Sequence, residues 1–378
     1  MRAALAALVF LFAAVLGPCG SRITVLSYNV QNLFDDQVDG TEYRDYLPPR
    51  WGPEQAAAKL TAVGRAIRRA AGGAAVLSAG GAPDLIALQE VENLRVLLAL
   101  RDRHLADLGY RHAVLAPQKG VATQVAVLSR LPVVRTAVHP VGTFAGAPLR
   151  HILEVEIEHQ GRRLVLLNNH WKSKTGGVAA TAEARRRAAA VVRRRVAELL
   201  QLDPAADILV VGDLNENLEE HLEAQGRYPT ALRPWPAGRS AGTAGQGPAD
   251  ADRSVPPGGG GAAADAQGEL LLCPRPEQAG MSEEGLGLYE PWYELPPEQR
   301  GSYVYEDRWQ TPDHMLLTPG LFDRRGFSYR PGSFRVARQR HLLHPLTGYP
   351  MAFRPASGGR GGSGTSDHLP LLLELEAP

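Results

Sequence analysis

Six short hydrophobic runs in this chain each carry an amide, a carboxylate or an imidazole at one end. Four runs finish on such groups. The run around Ile23, Val25 and Leu26 leads to Asn29, 85–88 to Gln89 and Glu90, 164–167 to Asn168, Asn169 and His170, and 208–211 to Asp213 and Asn215. Two runs start on them: Asp313 and His314 precede 315–317, and Asp367 and His368 precede 371–373. Apolar runs of this length, bounded by polar residues, read as buried strands. If the last two strands lie antiparallel to the first four, all six polar clusters meet at one edge of the sheet structure. Loops at one edge of a rigid scaffold are where catalytic groups concentrate. Asp and Asn also end strands simply as turn formers, but six ends of one chemical type are hard to assign to turns alone.

Between the strands, Leu60, Val63, Ile67 and Ala70 recur at helical spacing, so 54–71 reads as an amphipathic helix with Pro53 in its first turn and Gly72–Gly73 after its end. A second helix is expected over 92–105, leading to a strand around 110–115. Residues 125–128 and 133–138 read as a hairpin pair, as do 152–157 and 164–169, joined at Gln160–Gly161. A long helix over 181–200 would bury Ala189, Val192, Val196 and Leu199. This order predicts an α/β protein with mixed sheets, not a repeat array. The chain is 378 residues long and 44% hydrophobic, enough for one large domain or two ordinary ones. Its net charge of +1 gives no general pull toward nucleic acid or acidic membranes, so an anionic substrate must be attracted locally.

Two segments depart from this pattern. Met1–Arg2 gives a positive start, 3–16 is unbroken apolar, and small residues follow, so 1–19 reads as an export signal too short for a comfortable membrane span. Cys19, with Leu16 and Gly17 before it, resembles the modified cysteine of bacterial lipoproteins, although Pro18 departs from the usual small residue. The chain is therefore expected outside the cytoplasm, as a periplasmic, surface-anchored or secreted protein, with Cys19 as the membrane anchor in the second case. Only Cys273 remains, so no disulfide framework and no cysteine metal site is available. Gly, Ala and Pro dominate residues 236–288, which read as a mobile insertion in a single domain spanning 22–378. A shorter Gly-rich stretch, 357–364, precedes Asp367 and reads as a flexible loop or a plain surface turn.

The clustered residues permit one chemistry better than others. Glu90 and Asp367 are hard oxygen ligands, and Asn29 can add a carbonyl or orient a bound water, a set suited to Mg²⁺ or Mn²⁺. There is no H-E-x-x-H zinc motif, no phosphate-binding G-x-x-x-x-G-K-[ST] loop and no G-x-S-x-G nucleophile elbow. Hydrolysis by an activated water remains. His368 can act as base if Asp313 fixes its tautomer. Asp213 and Asn215 can hold the water and a non-bridging oxygen, and His170 can donate to the phosphate. Arg150 and Lys172 are candidate phosphate contacts, with Lys174 adding charge nearby. Arg185–Arg187 and Arg193–Arg195 lie on the long helix and read either as a phosphate-backbone contact or as a solvated helix face.

Ser-Tyr-Asn-Val-Gln-Asn-Leu-Phe at 27–34, Gln-Glu-Val-Glu at 89–92, Asn-His-Trp-Lys-Ser at 169–173, Gly-Asp-Leu-Asn at 212–215, Pro-Asp-His at 312–314 and Ser-Asp-His at 366–368 together resemble the endonuclease/exonuclease/phosphatase superfamily, which includes deoxyribonuclease I. They stand in that family's order. The opening motif, the His-Trp-Lys-Ser segment and 301–305 resemble its bacterial exported branch. The resemblance implies a four-layer α/β/β/α sandwich and Mg²⁺-dependent hydrolysis of a phosphate ester. By motif, Asn29, Glu90 and Asp367 would serve the metal, His368 with Asp313 would form the base dyad, and His170, Asp213 and Asn215 would position water and phosphate. A phosphodiester, nucleic acid foremost, is the expected substrate. The alternatives are a phosphatase or phospholipase acting on a lipid head group or phosphosugar, and a non-catalytic binding protein. No protein partner is evident.

Overall fold

Alternation along one strand decides the layering. Within Ser21–Leu33, Ile23 and Val25 enter one core, whereas Leu26, Tyr28 and Val30 enter another on the opposite face. The computed structural model describes residues 21–70, 82–236, 268–355 and 362–377. Ser21–Leu33 lies inside a seven-stranded mixed sheet, parallel to Leu85–Val91 and antiparallel to Leu371–Ala377. Gln124–Ser129 and His112–Leu115 extend that sheet on the Leu85–Val91 side. A nine-stranded sheet is centred on Asp207–Asp213, parallel to Arg162–His170 and antiparallel to Asp313–Leu317. Ile23, Val25, Leu85 and Val127 of the first sheet share one core with Leu166, Val210 and Met315 of the second.

Helices close the outer faces. Pro53–Ala70 presents Leu60, Val63 and Ile67 to Leu26, Tyr28, Ile86 and Leu88. Val178–Leu202 lays Ala189, Val192 and Val196 on the second sheet, with Leu199 only partly buried. The result is the expected four-layer sandwich. The sheets are also clipped by polar groups: Gln89 Nε2 donates to Asn168 Oδ1 at 2.8 Å, and Asn168 Nδ2 donates to the Leu88 and Ala126 carbonyls. Each member of this clip is buried and paired through at least one polar atom, as a buried polar group must be.

Four sequence expectations need correction. Residues 125–128 and 133–138 do not form a hairpin, because Gln124–Ser129 belongs to the first sheet and Val133–His139 pairs with Ile152–His159 in the second. The segment between them crosses from layer to layer. The second helix is shorter than 92–105, an α-helix over Leu94–Ala99 running into a π-turn at Leu100–His104. Arg185 is no surface cation. It is fully buried, with Nε 3.0 Å from Glu216 Oε1 and its other nitrogens near Thr181 Oγ1 and the Val178 carbonyl. The fourth correction concerns the insertion.

Residues 237–267 lie outside the described residues, as do 1–20 with the export signal and Cys19, and 356–361 of the second Gly-rich stretch. The rest of the expected insertion is sheet. Leu270–Cys273 pairs with Gly285–Tyr289, and Leu270, Leu272, Leu286 and Leu288 are fully buried. Replacing 238–286 by a short Gly–Ser linker is therefore expected to lower the thermal midpoint sharply. The deletion removes the buried Leu270, Leu271, Leu272 and Leu286, and at about 2–5 kcal/mol each their loss rivals the whole stability of an ordinary domain. A midpoint within a degree of wild type would contradict this.

Candidate active site

Strand register assembles the site. Asn29 stands opposite Gln89, Asp213 opposite His170 on one side and opposite Asp313 on the other. Four strand ends and two strand starts thus meet at one edge, as the antiparallel placement of the last two strands requires. Asn29 Nδ2 joins the two sheets there, donating to Glu90 Oε1 at 3.2 Å and to Asp213 Oδ2 at 3.0 Å. His170 Nε2 lies 3.7 Å from Glu90 Oε1 and 3.6 Å from Asp213 Oδ2. His368 Nδ1 is 2.8 Å from Asp313 Oδ2, and its Nε2 is 3.9 Å from Asp213 Oδ2. Asn215 donates its backbone N–H to Asp213 Oδ1 at 2.9 Å, while its amide reaches the Trp171 carbonyl at 3.2 Å.

The backbone is bent to make these contacts. Gln31, Asn32, Glu90 and Asn215 all have positive φ, between 52° and 65°. Such strained residues gather at functional sites when surrounding contacts hold them. At Gln31–Asn32 the first strand loses register, and the Asn32 N–H turns in to donate to Glu90 Oε2 at 2.7 Å. Gly212 has φ 126°, and a Cβ there would stand 2.0 Å from the Asn169 carbonyl oxygen, so only glycine fits before Asp213.

Burial and crowding set the charges. Burial, with Asp313 and Glu90 nearby, pushes Asp213 up to about 7 against the opposing pull of His368. Burial holds His170 well below the usual imidazole range, reinforced by Arg150, His368 and Lys172, so it is neutral. Burial would lower His368 too, but Asp313 beside it outweighs burial and holds it well above that range. Arg150 is anchored by Nε on the Thr123 carbonyl at 3.1 Å, and Lys172 is half-buried beside it in the same field. Asp367 is half-buried and adjoins Ser366, whose Oγ donates to the Asn29 carbonyl at 2.7 Å.

Several supporting residues were given no role by the sequence, and Lys59 carried no signal at all. Ser302 Oγ donates to Asp313 Oδ2 at 2.5 Å, and the Tyr303 ring stacks on His368 with centroids 4.7 Å apart. Lys59 is fully buried, donates to the Thr365 carbonyl at 2.6 Å, and is drawn down to about 7 by burial against Asp367 and Glu90. His314 has a structural part: Nδ1 meets Glu290 Oε2 at 2.5 Å and Nε2 meets the Glu216 carbonyl at 2.9 Å. Asn169 is likewise structural, donating to the Leu167 and Val211 carbonyls.

Asp213, Asp313 and His368 each offer a ligand atom, all within 4.8 Å of one another, so this trio can hold a divalent ion. The wider donor set fits a hard cation as well. Asp213, Asp313 and Asp367 gather around His368, while Glu90 and Asp213 lie 3.7 Å and 3.6 Å from the neutral His170.

Comparison with known proteins bears on family and fold. No curated protein sequence matches the chain. Among solved structures, truncated TDP2 of Caenorhabditis elegans is 15% identical, covers 94% of this chain and 98% of its own, and has a TM-score of 0.50. TDP2 of D. rerio, complexed with single strand DNA product, is 13% identical over 94% of this chain and all of its own, with a TM-score of 0.51. A mannosyl-6-phosphatase of Bacteroides thetaiotaomicron is 12% identical over 93% and 99%, with a TM-score of 0.50. These likenesses concern the fold. In sequence, the pattern that defines the endonuclease/exonuclease/phosphatase family matches residues 24–228, more than half the chain. The chain belongs to that family of phosphate-ester hydrolases.

Proposed function

We propose that this protein is a metal-assisted phosphodiesterase, with nucleic acid as its first candidate substrate. The observation that carries the reading is the convergence of Asn29, Glu90, His170, Asp213, Asp313 and His368 at one sheet edge beside Arg150. Asn29, Glu90 and Asp367 would hold Mg²⁺, or Mn²⁺. The trio around His368 is the rival place, but an ion on Nδ1 would break the 2.8 Å hydrogen bond to Asp313, and one on Nε2 would occupy the atom needed as base. Bound, the ion supplies a Lewis acid for the phosphate oxygens.

The side chains do the rest. Asp313 accepts from His368 Nδ1, which leaves Nε2 to take the proton of a water as its oxygen attacks phosphorus. Asp213 and Asn215 position that water. Neutral His170 donates from Nε2 to a phosphate oxygen, and its Nδ1 is buried without a partner among the described residues. Arg150 and Lys172 supply local positive charge as the ester P–O bond breaks. The charged start and apolar run of 1–19 support action outside the cytoplasm.

A base held above the usual imidazole range is protonated at neutral pH, so hydrolysis is expected to rise with pH through that raised value. Asp313→Asn should move the rising limb to lower pH, since the carboxylate that stabilises the charged ring is gone. A pH profile of kcat/KM checks this. A limb near 7 that survives His368→Gln would instead make Asp213 the base.

A second reading, a phosphatase or phospholipase acting on a smaller head group, is favoured by the long helix. Its Arg185, Arg187 and Arg195 pair with Glu216, Glu183 and Glu154, which leaves little to follow a phosphate backbone. Plasmid DNA, RNA, bis-(p-nitrophenyl) phosphate and phospholipids, each with and without Mg²⁺, separate the readings. Cleavage of phospholipid alone would overturn the first.

A further inference from the structure

We propose that Asp39, Glu42 and Glu92 form a second cation site, outside the catalytic cluster, that takes Ca²⁺ and fastens the loop 34–46. Glu92 follows the strand that ends at the catalytic edge, but its side chain turns away from the Glu90 contacts toward this loop. It is only 3% exposed. Its Oε2 accepts the Asp35 N–H at 2.8 Å, while Oε1 is buried and meets no donor among the described residues. Leaving a buried carboxylate oxygen without a donor is costly, and native structures rarely do so without an ion or a water at hand.

More carboxylate stands beside Glu92, from Asp35, Asp39 and Glu42. Asp39, Glu42 and Glu92 each bring a ligand atom within 4.8 Å of the others. Ca²⁺ takes oxygens at about 2.3–2.6 Å, so two ligands of one ion lie no more than about 5 Å apart. The neighbouring charges do not balance. Asp35 is the fourth carboxylate, and among the described residues one arginine serves the group: Arg95 Nε lies 2.6 Å from Asp35 Oδ2 and its Nη2 3.0 Å from Asp39 Oδ2. Asn93 adds neutral donors to the same two oxygens. The all-oxygen set, drawn from two loop segments, suits the flexible shell of Ca²⁺ better than the strict octahedron of Mg²⁺.

Occupancy would matter to the active edge. The same loop carries Tyr43, whose hydroxyl is 3.5 Å from Arg150 Nη2, and Tyr46, which packs on Phe34 and Trp51. A cation tying 39 and 42 to Glu92 would hold that wall beside the phosphate-binding arginine.

The test is calorimetric titration of the EDTA-stripped full chain with CaCl₂, alongside thermal melts. Wild type should bind Ca²⁺ and melt higher with it. Glu90→Gln, which alters the catalytic cluster, should keep that Ca²⁺ binding. Glu92→Gln and Asp39→Asn should each weaken it at least about tenfold, as loss of a charged ligand does. Asp39 is exposed, so Asp39→Asn keeps the test open even if Glu92→Gln folds poorly. No Ca²⁺ uptake by wild type, or uptake unchanged in Asp39→Asn, would overturn the proposal.

Discussion

Glu90→Gln is expected to lower kcat/KM about 10²–10³-fold, to raise the Mg²⁺ concentration needed for half-maximal rate, and to leave the thermal midpoint nearly unchanged. The size follows from the several kcal/mol that a bound ion contributes to a charged transition state, at about 1.4 kcal/mol per tenfold. The fold should survive because glutamine has the same shape, and the carbonyl can still accept the Asn32 N–H that holds the carboxylate now. The lost quantity is charge, which carries most of the attraction for a small divalent ion. Initial rates across a Mg²⁺ series, with melts of both proteins, check it. Undiminished hydrolysis by wild type in excess EDTA would remove the metal from the account.

Much of this edge is legible in the sequence because one strand rule generates it. Each polar group ends or starts a short apolar run, and parallel and antiparallel pairing then bring Asn29, Glu90, His170, Asp213 and Asp313 together whatever the loops do. The two long helices are legible for a similar reason, since Leu60, Val63 and Ile67, or Val192 and Val196, are spaced to face one sheet. What stays hidden is decided by long-range contact. Nothing local in Gln124–Ser129 and Val133–His139 reports that they belong to different sheets. Composition mislabels 268–288, because the Gly, Ala and Pro upstream mask the buried Leu270–Cys273 strand and its partner. A run of arginines reads as surface, yet Arg185 meets Glu216 in the interior, a pairing across 31 residues that no periodicity announces. Lys59 is hidden in the same way, one polar residue on an apolar helix face, fully buried where Thr365 receives it.

The second large effect belongs to the dyad. His368→Ala should lower turnover roughly 10²–10⁴-fold, the usual contribution of a positioned general base. Asp313→Asn should also be severe. It replaces an acceptor by an amide that can donate to Nδ1, which inverts the tautomer and takes Nε2 out of service. Ser302 Oγ, 2.5 Å from the same Asp313 oxygen, then gains a second claim on the altered group. Mg²⁺ affinity should change little in either variant, since Asn29, Glu90 and Asp367 are the proposed ligands.

A double-mutant cycle on kcat/KM for His368→Ala and Asp313→Asn, with each protein checked for folding and Mg²⁺ binding, tests the central claim most directly. The 2.8 Å bond between the two side chains makes them one unit. The doubly substituted protein should therefore be about as slow as the worse single variant. Losses that simply multiply, or near-wild-type turnover by His368→Ala at saturating Mg²⁺, would contradict the dyad.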